Sequence, residues 1–275
     1  MLHGIVGDVI GSVYEAYQWK NKNLELLLTK EINYDFVTPF FKEAKWVRKS
    51  QSWTDDTLCT LALYNAYSKQ ESPIESMVHF CKKYKNESIG FGKAFEKWLD
   101  NPKPYASYAN GSIMRVGFIP YLNISVEEKL KIGQQYTGIS HNHFDCFKAV
   151  SSFIVISEKL KNGEDYKKVI KEYLLENNYT KTVEDLHTDF KFEMNAMTTL
   201  LQSCVILLES NSFEEVLRNA FYVGGDSDTL GCVAGNLSSF VFELPKYLEE
   251  YALSTLKPFE DLYEIAIEFK NKQAY

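Results

Sequence analysis

The chain has 275 residues, 45% of them hydrophobic and 15% aromatic, which is enough to bury a sizeable core. Its net charge of −7 and pI of about 5.4 give no sign of the basic surface by which proteins displace counterions from nucleic-acid phosphates, so nucleic acid is not expected as a partner except as a modified substrate. The five cysteines (Cys59, Cys81, Cys146, Cys204 and Cys232) form no CxxC pair, which excludes a zinc knuckle or thioredoxin-type motif and favours a reducing compartment.

The opening stretch MLHGIVGDVIGSVYEAY is apolar, but it has no basic leading segment and Asp8 interrupts it, so no signal peptide is expected. No apolar run approaches the roughly 20 residues of a membrane span. A cytoplasmic monomer is the expectation. Gly4, Gly7 and Gly11 fall inside the helix-like pattern, and glycine there costs about 1 kcal/mol relative to alanine. They imply close packing or the approach of a ligand. Asp8 caps a neighbouring loop or acts chemically, and Glu15 is a surface acid or a functional one.

Residues 32–40 (INYDFVTPF) are the best strand candidate, although they contain a proline. Next comes SWTDDT, where the adjacent carboxylates of Asp55 and Asp56 repel and need a partner or solvent. An ordinary helix N-terminus capped by Thr54 would suit them, and so would a ligand site. Leu58, Leu61, Ala62 and Ala66 follow on one helical face. Capping boxes are read at Ser72-Pro73-Ile74-Glu75, Ser125-Val126-Glu127-Glu128 and Ser212-Phe213-Glu214-Glu215.

Residues 107–115 (SYANGSIMR) hold an Asn-Gly turn that is either a plain surface turn or a source of N–H groups for an anionic ligand. His141-Asn142-His143 offers two imidazoles without a third Cys or His at zinc spacing. Glu158 to Glu172 reads as solvated helix faces. Met197, Leu200, Leu201, Cys204 and Leu208 share a face, as do Val216, Leu217, Ala220 and Phe221.

GGDSDT (224–229) then repeats the acidic, hydroxyl-rich helix start. Behind it runs the stripe Leu230, Val233, Ala234, Leu237, Phe240 and Val241, which stops before Pro245, and Gly231 and Gly235 would let another backbone approach. An EF-hand starting at Asp226 is excluded by Leu230 and Leu237 at ligand positions. No GxSxG elbow, P-loop or GxGxxG fingerprint is present. The pattern is all-α. If the two acidic helix starts meet, a charge of about −4 converges and needs cations, and all-oxygen ligands favour Mg²⁺, Mn²⁺ or Ca²⁺ over Zn²⁺.

Five segments in this order, GDVIGSVYE (7–15), SWTDDT (52–57), SYANGSIMR (107–115), SHNH (140–143) and GGDSDT (224–229), resemble the ADP-ribosylglycohydrolase family. The likeness runs from about residue 2 to 265 and is closest to compact bacterial members; GSVYE also resembles the branch acting on serine-linked and O-acetyl ADP-ribose. The resemblance implies a single compact orthogonal helical bundle over residues 1–275 and a centre of two divalent cations, Mg²⁺ or Mn²⁺. It implies Thr54, Asp55, Asp56, Asp226, Asp228 and Thr229 as ligands and Glu15 as the catalytic or metal-gating residue.

It further implies a substrate pocket of Ser107, Asn110, Gly111, Ser112 and Met114, with Tyr108 near the adenine and His141 near a ribose or phosphate. Gly90-Phe91-Gly92 resembles a phosphate loop, with Gly92 a substrate contact. The partner implied is an ADP-ribosylated protein or small molecule; the alternatives are an ADP-ribose-binding protein without turnover and a two-metal phosphohydrolase. One departure stands out: 192–203 reads FEMNAMTTLLQS, without the Cys-Gln-Gly-Thr and proline common in bacterial relatives. That puts the substrate preference in question.

Overall fold

The helix starts named from capping chemistry are all present in the computed structural model, which describes residues 1–15, 52–87 and 90–273. The first part of the chain contributes α1 (Leu2–Gly11), α2 (Asp55–Lys69), α3 (Pro73–Lys83) and α4 (Lys93–Asp100). Three single-turn 3₁₀ segments follow at Asn110–Ser112, Met114–Val116 and Ile119–Tyr121. The rest is α5 (Val126–Gly138), α6 (Phe144–Lys161), α7 (Tyr166–Glu176), α8 (Val183–Thr188), α9 (Ala196–Leu208), α10 (Phe213–Val223), α11 (Ser227–Ser238), α12 (Lys246–Leu256) and α13 (Glu260–Gln273). The fold is all-α, and no strand occurs among the described residues. Two isolated bridges, Tyr105 with His141 and Ala109 with Asn195, tie loops together. The candidate strand at 32–40 lies outside the described residues.

Of the three capping boxes, Ser125 forms the reciprocal pair with Glu128. Ser72 and Ser212 accept from the backbone of Glu75 and Glu215, but Glu215 turns its carboxylate to Asn211 instead. The cap therefore survives where the box does not, because the side-chain acceptor alone satisfies an orphan N–H.

Helix α11 is central. Every residue from Ser227 to Ser238 is buried, with α1, α9 and α10 packed around it. The buried face is wider than the apolar stripe, and the helix is shorter than it. Asn236 and Ser238 are buried as well, whereas the helix stops at Ser238 and Phe240 and Val241 fall in the turn beyond it. That turn is closed by Val241 and Phe242 N–H groups, each donating to the Ser238 carbonyl at 2.9 Å. In α9, Leu200 and Cys204 are buried as expected, but Met197, Leu201 and Leu208 are only partly so. Its neighbours α6, α7, α10 and α11 press on it from several sides, so its buried surface is not one stripe.

The crossing of α1 and α11 sets the geometry of everything above it. A Cβ on Gly7 would sit 2.0 Å from the Gly231 carbonyl oxygen, so the two backbones are in direct contact. The glycines at 7 and 231 thus answer each other: close packing, not ligand approach, is their reason. Ser227 then donates to the Gly11 carbonyl at 3.2 Å, joining the last turn of α1 to the first turn of α11.

Candidate functional site

Thr54 caps α2, its hydroxyl accepting from the Asp56 N–H at 3.2 Å. This holds Asp55 and Asp56 in the first turn, where the helix dipole favours them. Asp226 occupies the same place before α11 but makes no side-chain cap; its carboxylate accepts from Asn110 Nδ2 at 2.6 Å. The two helix starts meet. The Thr229 hydroxyl donates to Asp56 Oδ2 at 3.2 Å, across 173 positions of sequence.

Asp8, fully buried on α1, ties the arrangement together from below. Its Oδ2 accepts from the Thr54 N–H (2.9 Å), the Thr57 N–H (3.0 Å) and the Thr57 hydroxyl (2.5 Å). Its Oδ1 accepts from the Thr54 hydroxyl at 2.7 Å. A carboxylate offers about four lone-pair positions, so Asp8 is occupied in shaping the TDDT turn. Of the two roles its sequence allows, capping is the one these hydrogen bonds carry out, and the turn Asp8 holds belongs to the acidic floor.

Carboxylate oxygens of Asp8, Asp56 and Asp228 lie within 4.8 Å of one another, and so do those of Glu15, Asp226 and Asp228. Two groups sharing Asp228 form a pair of adjoining acidic pockets. Burial, then the charges of Asp228 and Asp8, raise Asp56 well above the carboxylate range. Burial and Asp226 do the same to Asp228, and Asp226 is pushed up to about 6, chiefly by burial. Such a cluster stays ionised only if positive charge joins it. Asp56 Oδ1 is moreover buried with no hydrogen-bond partner among the described residues, an orphan acceptor that a cation would satisfy. An all-oxygen donor set suits a hard divalent cation. The residues present fit such ions.

These acids form the floor of a cleft of about 210 Å³. One wall is the loop from Ser107 to Met114; the other carries Gly90, Gly92 and Phe95. Gly90 has φ +128°, and a Cβ there would come within 1.9 Å of Asp55 Oδ1, so that loop passes directly over the Asp55 carboxylate. The Ser107 wall is pinned by the segment before α9: the Asn110 N–H donates to the Met194 carbonyl (2.7 Å) and the Ala196 N–H to the Tyr108 carbonyl (2.9 Å).

A family model for the ADP-ribosylglycohydrolases matches residues 1–273. The chain belongs to the ADP-ribosylglycohydrolase family. Members of this family are hydrolases that act on ADP-ribosylated substrates. The fold agrees: a solved structure titled an ADP-ribosylglycohydrolase-related protein complex matches with a TM-score of 0.67 at 17% identity, over 99% of this chain and 97% of that one. No curated protein matches the sequence significantly.

Against the site expected of an ADP-ribosylglycohydrolase, Glu15, Asp55, Asp56, Asp226, Asp228 and Thr229 all face the cleft, and Thr54 lies buried just beneath it. Gly92, Ser107, Asn110, Gly111, Met114 and His141 also line it. Two expected contacts are elsewhere. Tyr108 is 57% exposed with its ring against His143, while its carbonyl accepts from the Ala196 N–H. Ser112 is fully buried and donates to the Ala109 carbonyl at 3.0 Å, closing the 3₁₀ turn. Phe192 and Met194 line the cleft from the divergent 192–203 segment, half-exposed at its mouth. The divergence of 192–203 marked the segment but not these two side chains, whose place depends on the bridge between Ala109 and Asn195. No described helix is long and apolar enough to cross a membrane.

Proposed function

We propose that this protein hydrolyses the glycosidic bond between ADP-ribose and an acceptor, a protein side chain or a small molecule, with the whole of residues 1–275 as one domain of this family. The observation that carries the reading is the contact between Thr229 and Asp56, which makes the TDDT and GDSDT turns one acidic floor under a cleft. Thr54, Asp55, Asp56, Asp226, Asp228 and Thr229 would hold two divalent cations, Mg²⁺ or Mn²⁺. Bound there, the cations would supply positive charge to the vicinal hydroxyls of the distal ribose and acidify water beside it.

The protein's own groups divide the rest of the work. The Ser107–Met114 wall orients the ligand, with the Asn110 amide already anchored on Asp226. Glu15 faces the cleft beside Asp226 and Asp228, a position from which its carboxylate can take a proton from the attacking water. The water oxygen bonds to the anomeric carbon as the bond to the acceptor breaks through an oxocarbenium-like state, and the acceptor leaves with a proton. The half-exposed Phe192 and Met194 put an apolar edge where the acceptor would emerge. The five cysteines are free and buried, which fits a cytoplasmic, reducing setting.

The test is a panel of ADP-ribosylated substrates differing only in linkage, assayed for free ADP-ribose with Mg²⁺, with Mn²⁺ and with EDTA. Release of ADP-ribose that EDTA abolishes and either metal restores is the expected result. Full activity in chelator, or release of AMP instead, would refute the reading.

A further inference from the structure

Arg115 is 1% exposed, and no carboxylate pairs with it among the described residues. Its Nη2 reaches the carbonyls of Tyr136 (2.9 Å) and Thr137 (3.2 Å) and the Ser140 hydroxyl (2.9 Å). The same hydroxyl lies 2.9 Å from His141 Nδ1. A guanidinium can only donate, so Ser140 Oγ accepts from it. The single hydroxyl proton of Ser140 must then go elsewhere. Ser140 is fully buried, and His141 Nδ1 is the acceptor within its reach among the described residues. Nδ1 can accept only in the neutral imidazole that carries its proton on Nε2.

The backbone holds the ring in place. Tyr105 N–H donates to the Ser140 carbonyl (2.8 Å), Asn142 N–H donates to the Tyr105 carbonyl (2.9 Å), and the Tyr105 ring lies 5.4 Å from the imidazole. Burial first, and then the Arg115 charge, depress the His141 pKa to about 3, so the ring does not escape the constraint by protonation. On the far side of the ring, a Cβ added to Gly111 would come within 3.1 Å of Nε2. The Nε2–Cε1 edge of the ring thus faces Gly111, and His141 lines the cleft together with Asn110 and Gly111.

We infer that Arg115 and Ser140 are positioning residues that lock His141 as an Nε2–H donor, so that the cleft reads an acceptor oxygen of its ligand and His141 takes no part as a base. The identity of that ligand rests on the ADP-ribose reading above; the relay itself does not. Both ring nitrogens are committed, one accepting from Ser140 and the other carrying a proton toward the ligand. Loss of the Ser140 hydroxyl frees Nδ1 to take the proton and turns a lone pair toward the ligand oxygen, replacing attraction with repulsion.

Long-range ¹H–¹⁵N NMR of the histidine rings, assigned with His141→Gln, reads the tautomer without any ligand. The wild type should show His141 neutral and protonated at Nε2 at pH 7. Ser140→Ala should move it toward the Nδ1–H form and weaken ADP-ribose binding about tenfold, the worth of one hydrogen bond. Ser140→Thr, which keeps the hydroxyl, should restore both. An Nδ1–H or protonated His141 in the wild type overturns the relay, and so does an unchanged tautomer in Ser140→Ala. An Nε2–H tautomer in a protein that does not bind ADP-ribose supports the relay and overturns the ligand reading alone.

Discussion

The floor of the cleft and its rim are held by different means. On the floor, Asp8 spends its carboxylate on four hydrogen bonds to the TDDT turn, Asp56 and Asp228 are almost wholly buried, and the α1–α11 backbones below are in contact. At the rim, Phe192 and Met194 stand 41% and 53% exposed on a segment secured mainly through its backbone. A floor with no slack fixes charge and chemistry; a rim with loose side chains can change what it accepts while the backbone stays in place. Within 192–203, Phe192 and Met194 stand on the rim while Ala196 to Ser203 belong to α9, and none of the acids of the floor comes from this segment.

Removing floor charge should have the largest effect. Asp228→Ala takes away the residue shared by both acidic groups, and should cost at least one bound ion by elemental analysis together with about 10³-fold in turnover. Metal content equal to wild type would show that the floor is not a cation site. Glu15→Gln should lower turnover by between about 10² and 10⁴-fold while ADP-ribose still binds by calorimetry. Retained turnover would remove Glu15 from the chemistry and leave the floor purely electrostatic.

Asp8→Asn tests the bracing under the floor. An amide turns an NH₂ toward N–H and O–H donors, and should destabilise the metal-loaded protein by about 3 kcal/mol, read as a lowered Tm. An unchanged Tm would mean that the four hydrogen bonds are not what shapes the turn. Bound charge also predicts a pH signature. The Asp226 carboxyl rises from an ordinary 3.8 to about 6 on folding, so the folded state binds more protons between these values. Without metal, stability should be greatest below that window and be lost as pH rises through it. In EDTA the Tm should therefore be higher at pH 5 than at pH 7, and added Mg²⁺ should abolish the difference.

The rim should respond least and differently. Phe192→Ala combined with Met194→Ala should raise KM about three- to tenfold, with kcat, metal content and Tm held. A fall in Tm matching that of Asp8→Asn would erase the distinction between the two regions.

Much of the floor was legible from residues alone. Thr54 before two acids and Gly-Gly before DSDT announce helix starts, because capping is settled within one turn of chain. The glycine at 7 allowed close packing or ligand approach and the one at 231 the approach of another backbone; the contact between α1 and α11 decides for packing. Asp8 was visible but ambiguous: its partners lie 46 and 49 positions away, and no local rule reaches that far. Tyr108 and Ser112 belong to one sequence motif, yet closure of a 3₁₀ turn buries the Ser112 hydroxyl on the Ala109 carbonyl while the Tyr108 ring stands exposed beside His143.

By itself the sequence determined the all-α class, the helix starts and the two acidic turns, all products of interactions within a few residues. Only the tertiary structure decided that those turns share one floor, that Asp8 braces it, that the 192–194 segment forms its mouth and that Ser140 links Arg115 to His141. Those are encounters between distant parts of the chain. They are set by how α1 packs on α11 and by how loops pair across the cleft.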